Sequence, residues 1–116
     1  MGAPLLYAWH KKVYLGAAHG LCGELSVLLQ AAHLVPEVLD PAAQRDVLAT
    51  LDWVLAQRLP SGNLSSSLGK DTDELVQFCH GATGLLPTLL IVRAQHKIEN
   101  KRKKERRRRG KKKEEI

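Results

Sequence analysis

The chain has 116 residues, a formal net charge of +6 and two cysteines. That length allows one small domain, and two cysteines do not make a disulfide framework. The positive charge belongs to one end, because residues 97–116 hold twelve Lys and Arg against four Glu, whereas residues 1–96 carry a net charge of −2. We therefore predict a folded part over 1–96 and a polybasic tail over 97–116.

The first half of the chain predicts an irregular lead-in and two helices. Residues 1–15 mix apolar and aromatic side chains that would cover a neighbouring surface. A helix is predicted over 17–35, because its apolar residues follow the spacing of one buried face, and Pro36 can end it. The face consists of Leu21, Leu25, Leu28, Leu29 and Ala32. Asp40 and Pro41 give a typical start for the second helix, with an N-cap followed by proline.

The second half predicts a loop, a short turn and a third helix. Residues 59–70 have the Pro, Gly, Asn and Ser content of a loop. Asp71, Thr72 and Asp73 offer N-caps for a short turn through Leu75 and Val76. A helix from about 84 to 95 follows. Since no stretch alternates with period two, we predict an all-α fold.

A motif of the form His-Gly-x-x-Gly occurs twice. The first motif is His19–Gly23 and the second motif is His80–Gly84, so equivalent positions differ by 61 residues. Each copy leads into an apolar helix, and this indicates an internal repeat. In the first repeat unit, a second, outer helix follows the apolar helix. The sequence predicts no equivalent outer helix in the second unit.

Four side chains in or next to the motifs could bind a metal or act in catalysis. Cys79, His80, His19 and Cys22 are residue types that bind zinc, but a zinc site usually needs four converging ligands. A buried cysteine is also an ordinary small apolar residue, and this alternative stays open for Cys79 and Cys22. His19 is a candidate acid or base because histidine titrates near neutrality, with a packed histidine as the alternative.

These motifs resemble those of a known family. Tyr14–Leu21 and Glu74–Ala82 are similar to two signatures of lanthionine synthetase C-like (LanC-like) proteins. The resemblance implies an α/α toroid of seven helical hairpins, of which this chain would hold about two. It implies zinc-activated addition of a thiol, from glutathione or a peptide cysteine, to dehydroamino acids. It also implies that Cys79 is a zinc ligand and that His19 is the acid/base, whereas His80 is not a ligand.

The chain also departs from the family pattern. A later Cys-His-Gly motif, which supplies the remaining zinc ligands in the family, is absent from the sequence. Phe78, Thr83 and Glu24 stand where the family has Trp, Pro and an apolar residue. We therefore expect a truncated family member that does not hold zinc by itself and is inactive alone.

The polybasic tail suggests a different function. Residues 97–116 would be a disordered or helical extension that attracts nucleic acid or an anionic membrane, and a solvated tail without function is the plain alternative. The longest apolar run, Leu85–Val92, is too short to span a bilayer. We expect an intracellular protein that is cytoplasmic or membrane-associated, with the nucleus as an alternative because of the tail. The sequence does not determine an oligomeric state.

Overall fold

The computed structural model describes residues 3–69 and 73–114. These two ranges contain three α-helices: α1 (Leu21–Leu34), α2 (Pro41–Ala56) and α3 (Leu86–Glu114). Short 3-10 helices precede α2 and α3, at Pro36–Val38 and Ala82–Leu85. Within the described ranges there are isolated β-bridges but no strand, which confirms the predicted all-α class. No helix of these ranges is both long and apolar enough to cross a membrane.

The first two helices form a hairpin around the core. The buried leucines of α1 pack with the buried face of α2, and the set consists of Leu21, Leu25, Leu29, Val47, Leu51 and Val54. The Asp40 side chain accepts a hydrogen bond of 2.7 Å from the Ala43 amide, so the predicted N-cap of α2 is confirmed. Pro36 follows soon after α1, as expected, and begins the 3-10 helix.

The loop after α2 packs against the lead-in. The Leu15 amide donates to the Ser66 carbonyl at 3.0 Å, and the Leu68 amide donates to the Val13 carbonyl at 2.7 Å. Leu64 is fully buried in the same core as the α1–α2 hairpin. Backbone hydrogen bonds therefore join the loop to the lead-in, whereas the aromatic side chains of the lead-in, which were expected to cover a surface, stay partly exposed.

Helix α3 packs on α1 through its first turns. Thr88 is fully buried, and its hydroxyl donates to the Cys22 carbonyl at 3.3 Å. The helix then continues to Glu114 without a break, which makes it about 43 Å long at 1.5 Å per residue. Residues 97–114 are thus helical, and the molecule extends 63 Å along its longest axis.

The second unit has no outer helix within the described residues. Shifted by 61 positions, α2 would begin at residue 102, but the described residues from there on continue α3 instead. Leu86 and Leu90 are the equivalents of the buried Leu25 and Leu29, yet they are 55% and 65% exposed. The face of α3 that carries them is uncovered because no apolar helix from the described ranges lies against it.

Some predicted boundaries are wrong for a physical reason. Residues 17–20 precede α1 rather than opening it, because Gly20 is extended and the Leu21 and Cys22 amides donate to the Tyr14 and Leu15 carbonyls instead of to residues 17 and 18. The turn predicted from Asp71 and Thr72 falls partly outside the described residues. Residues 73–76 are not helical, and the Asp73 carboxylate accepts hydrogen bonds from Ser61 and Asn63 rather than capping a helix.

Candidate functional site

The two motifs lie side by side, and the segments that lead into them touch through their backbones. The Ala17 amide donates to the Phe78 carbonyl at 3.4 Å, and the Ala18 amide donates to the Cys79 carbonyl at 3.2 Å. Each pair joins residues that are 61 positions apart, so the two units meet at equivalent places. The predicted repeat is therefore present in the structure as a contact between its two copies.

In both copies of the motif, a glycine allows the backbone to lie close to an earlier segment of the chain. A Cβ added at Gly20 would collide with the Tyr14 carbonyl, and one added at Gly81 would collide with the Leu75 carbonyl. Tyr14 and Leu75 are again 61 positions apart. Both glycines have extended backbone angles, so close approach of the chain is the reason for glycine here, not a left-handed conformation.

Aromatic rings hold His19 in place at the surface. Trp9 stacks on its imidazole with ring centroids 4.9 Å apart, and Tyr14 approaches edge-on at 5.9 Å. The His80 ring centroid lies 5.9 Å from that of His19. The Tyr7 hydroxyl donates to the His19 carbonyl at 3.1 Å. His19 is thus exposed but oriented, as an acid or base that meets a substrate has to be.

A tight turn brings Trp9 to His19. The Trp9 amide donates to the Lys12 carbonyl at 2.8 Å, and the Lys12 amide donates back at 3.1 Å. The two residues between them, His10 and Lys11, have left-handed φ angles of 49° and 62°. Such a turn usually has Asn or Gly at these positions, so the residue types found here do not predict it.

An open groove of about 740 Å³ lies beside His19. Leucine and valine side chains from the lead-in and α1 form its apolar walls, and Glu24 is its carboxylate. Partial burial raises the pKa of Glu24 above its usual value. The Glu24 carboxylate competes with the His19 carbonyl as acceptor for the Tyr7 hydroxyl proton, and this carboxylate, together with burial and its charge, raises the pKa of Tyr7. The groove can therefore receive an apolar group next to one carboxyl group and one imidazole.

The two cysteines have different surroundings. Cys79 is half-buried in the chain just before the second motif, where its carbonyl accepts from Ala18. Cys22 is fully buried in the first turn of α1, and burial raises the pKa of its thiol to about 12. The apolar interpretation of Cys22 fits this environment, since a buried neutral thiol packs as a small apolar side chain.

The residues that the structure describes do not fit a zinc site on their own. No group of three or more His, Cys, Asp or Glu side chains with the geometry to hold a metal occurs in 3–69 and 73–114. A protein zinc site uses three or four such ligands. Among the residues that the structure describes, Cys79 therefore lacks the ligands that would have to join it at a zinc ion.

Sequence reasoning missed Asn63, which connects the loop to the second motif. Its side-chain amide donates to the Leu75 carbonyl at 3.0 Å and to Asp73 at 2.8 Å, while its oxygen accepts from the Ala82 amide at 2.9 Å. Asn63 is buried although its sequence context is that of a loop. A lone asparagine among turn residues carries no signal for this role.

Comparison with known proteins agrees with the motifs. The profile of the family described as lanthionine synthetase C-like protein matches residues 2–109. LanC-like protein GCL1 from Arabidopsis thaliana is 44% identical over 87 residues, which cover 74% of this chain and 19% of that protein. Glutathione S-transferase LANCL1 from Danio rerio is 34% identical over 92 residues, covering 76% of this chain and 21% of that protein.

This chain belongs to the lanthionine synthetase C-like family. The family assignment expected from the two motifs is therefore confirmed. The chain spans about a fifth of the length of the curated relatives that it matches. The matched region extends beyond the predicted boundary at 96/97 and reaches Arg109.

Proposed function

We propose that this chain forms one wall of a LanC-like site at which a thiol, from glutathione or a peptide cysteine, is added to a dehydroamino acid. The observation that supports it best is the contact between the two repeat units, through the amide of Ala18 and the carbonyl of Cys79. This contact brings the His19 and Cys79 segments together. The glutathione transferase named among the relatives supports the choice of thiol.

His19 is the proposed acid/base of that wall. When a thiolate adds to a dehydroalanine, a carbon–sulfur bond forms at the β carbon and the α carbon must then take up a proton. A protonated imidazole can donate this proton and take up another from solvent. The stacking of Trp9 on His19 fixes the ring, and the exposed position leaves it accessible to a peptide.

Cys79 is proposed as a single member of a zinc ligand set that is completed from outside the residues described. By resemblance it is the first zinc-ligand cysteine of the family, and its half-buried position at the junction of the two units is compatible with that role. A single cysteine does not hold zinc with useful affinity. We therefore also propose that these 116 residues are inactive by themselves.

A finer proposal concerns the place of the chain within the family. The sequences of the two motifs and the Trp9-His10 lead-in suggest the eukaryotic LanC-like protein 3 as the nearest relative. A pairwise alignment with that protein tests this. Identity above the 44% found with the Arabidopsis protein would support the proposal, and a lower value would contradict it.

A chimera tests the proposed site directly. The segment of the Danio rerio glutathione S-transferase LANCL1 that aligns with this chain is replaced by residues 2–93. Glutathione addition to a dehydroalanine peptide is then followed by mass spectrometry. We expect the chimera to form the adduct, and we expect His19→Asn and Cys79→Ser within it to reduce the rate at least about tenfold each.

The matched control is His33→Asn, which alters an exposed histidine at the end of α1, away from both motifs. It should leave the rate of the chimera unchanged. A folded chimera that forms no adduct would contradict the proposed function. Full activity in both the His19 and the Cys79 variants would equally contradict it.

A further inference from the structure

The last part of α3 concentrates positive charge on an exposed helix. Residues 97–114, called here the basic segment, contain twelve Lys and Arg and three Glu. Every residue of the segment is exposed. At 1.5 Å per residue the segment is about 27 Å long, so it carries a cation roughly every 2 Å. Duplex DNA carries one phosphate charge per ~1.7 Å of its axis, which is close to the spacing of the cations and about twice the density of the segment's net charge of +9.

The cations surround the helix on all sides. Successive residues of an α-helix are rotated by about 100°, so four consecutive cations point in four directions. The segment contains two such runs, 101–104 and 106–109. A flat surface can contact only one side of this helix, whereas a groove contacts two or three. The distribution of charge therefore favours a partner with anionic walls on either side.

A lipid surface fits the segment less well. Helices that bind in the membrane interface bury an apolar face of Trp, Phe or Leu side chains. The basic segment has a single apolar side chain, that of Ile98. Only electrostatic attraction would hold the segment at an anionic membrane. The cations on the side of the helix that faces away from the membrane would then contact no lipid.

Repulsion within the segment also points to a polyanion. Cations lie four residues apart on the same side of the helix, as in the pairs Lys97–Lys101, Arg102–Arg106 and Lys104–Arg108. Like charges at this spacing destabilise a helix. A bound polyanion would neutralise these charges and remove the repulsion.

We propose that the basic segment binds duplex DNA through its phosphates, without reading the base sequence. An α-helix with its side chains is about 10–12 Å wide, and the major groove of B-DNA, at about 12 Å, admits it. Cations on opposite sides of the helix then meet the phosphates of both strands. The cations are alike along the segment, so no single register is preferred.

Fluorescence anisotropy of the whole protein with a labelled duplex of mixed sequence tests the proposal. If about six phosphates are neutralised, the affinity should fall roughly a thousandfold between about 50 and 200 mM salt. Two duplexes of different base composition should bind within about threefold of each other. Vesicles containing phosphatidylserine, at matched anion concentration and salt, should bind at least about tenfold more weakly than the duplex.

Two variants that each remove four cations separate the segment from overall charge. The segment variant changes 106–109 from Arg to Gln, and the slope of log affinity against log salt should shrink by roughly 0.9 for each phosphate that is no longer neutralised. The control variant changes exposed cations of the folded part to Gln, and it should bind almost as the unaltered protein does. Its positions are Lys11, Lys12, Arg45 and Arg93.

Three results would overturn the proposal. They are equal decreases of affinity in the two variants, tighter binding to the vesicles than to the duplex, and a strong preference for one of the two duplexes. None of the substituted side chains is buried, so both variants should fold. Their circular dichroism spectra and thermal melts verify this before binding is measured.

Discussion

The surroundings of the two sulfur atoms decide how Cys22 and Cys79 react. A cysteine attacks as the thiolate. Burial raises the pKa of Cys22 from 9.0 to about 12, which lowers its thiolate fraction at neutral pH roughly a thousandfold. Cys79 is half-buried and lies where the two repeat units meet. The structure thus separates a packing cysteine from an accessible one, although both stand in or next to a glycine-rich motif.

We therefore predict that one thiol per folded chain reacts quickly with a disulfide reagent such as DTNB. The fast reaction should disappear in Cys79→Ser and persist in Cys22→Ala, the matched control. Denaturant should expose the second thiol, because unfolding removes the burial that raises the Cys22 pKa. A fast reaction that survives in Cys79→Ser would contradict this assignment.

At the scale of elements, the sequence correctly predicted the features that depend on local residue patterns. The apolar spacing of α1 and the Asp40 N-cap both have the expected positions. The 9–12 turn was not predictable, because His10 and Lys11 lack the usual turn chemistry. The start of α1 was predicted too early because Gly20 is extended and the amides of residues 21 and 22 donate to the carbonyls of residues 14 and 15, which apolar spacing does not reveal.

The same holds for the candidate site. The motifs identified His19 and Cys79 as candidates, but they gave no sign of the stacking of Trp9 on His19 or of the links made by Asn63. Both depend on contacts between distant segments. A side chain that is polar and lies in a loop by composition can be buried once the second motif folds over it.

Two glycine substitutions test the role of the motifs as elements. Gly81→Ala should destabilise the fold by about 1–3 kcal/mol, because the new Cβ meets the Leu75 carbonyl and lies 2.7 Å from the Val76 Cα. The measurement is urea-induced unfolding. Gly110→Ala is the matched control, because nothing lies within 4 Å of its Cβ position in α3.

The control substitution, Gly110→Ala, should stabilise its helix instead of destabilising the fold. Alanine in a helix interior is favoured over glycine by about 0.5–1 kcal/mol, so Gly110→Ala should increase the helical circular dichroism signal. Unchanged stability in Gly81→Ala would show that the close approach at the second motif does not require glycine.

At the scale of the whole molecule, two repeat units meet but do not enclose a site. The segments around their motifs share one surface, and the α3 leucines equivalent to the buried Leu25 and Leu29 remain exposed. The described residues contain no cluster of three candidate metal ligands. This arrangement is consistent with the proposal that the chain forms one wall of a family site, with Cys79 as one of several zinc ligands.

The zinc content of the 116-residue protein tests this central claim most directly. The protein is reconstituted with zinc and dialysed, its metal is measured by inductively coupled plasma mass spectrometry, and glutathione addition to a dehydroalanine peptide is assayed in parallel. We predict far less than one zinc per chain, the same value for Cys79→Ser, and no adduct above the uncatalysed level. One tightly bound zinc per chain that is absent from Cys79→Ser, together with adduct formation, would contradict this assignment.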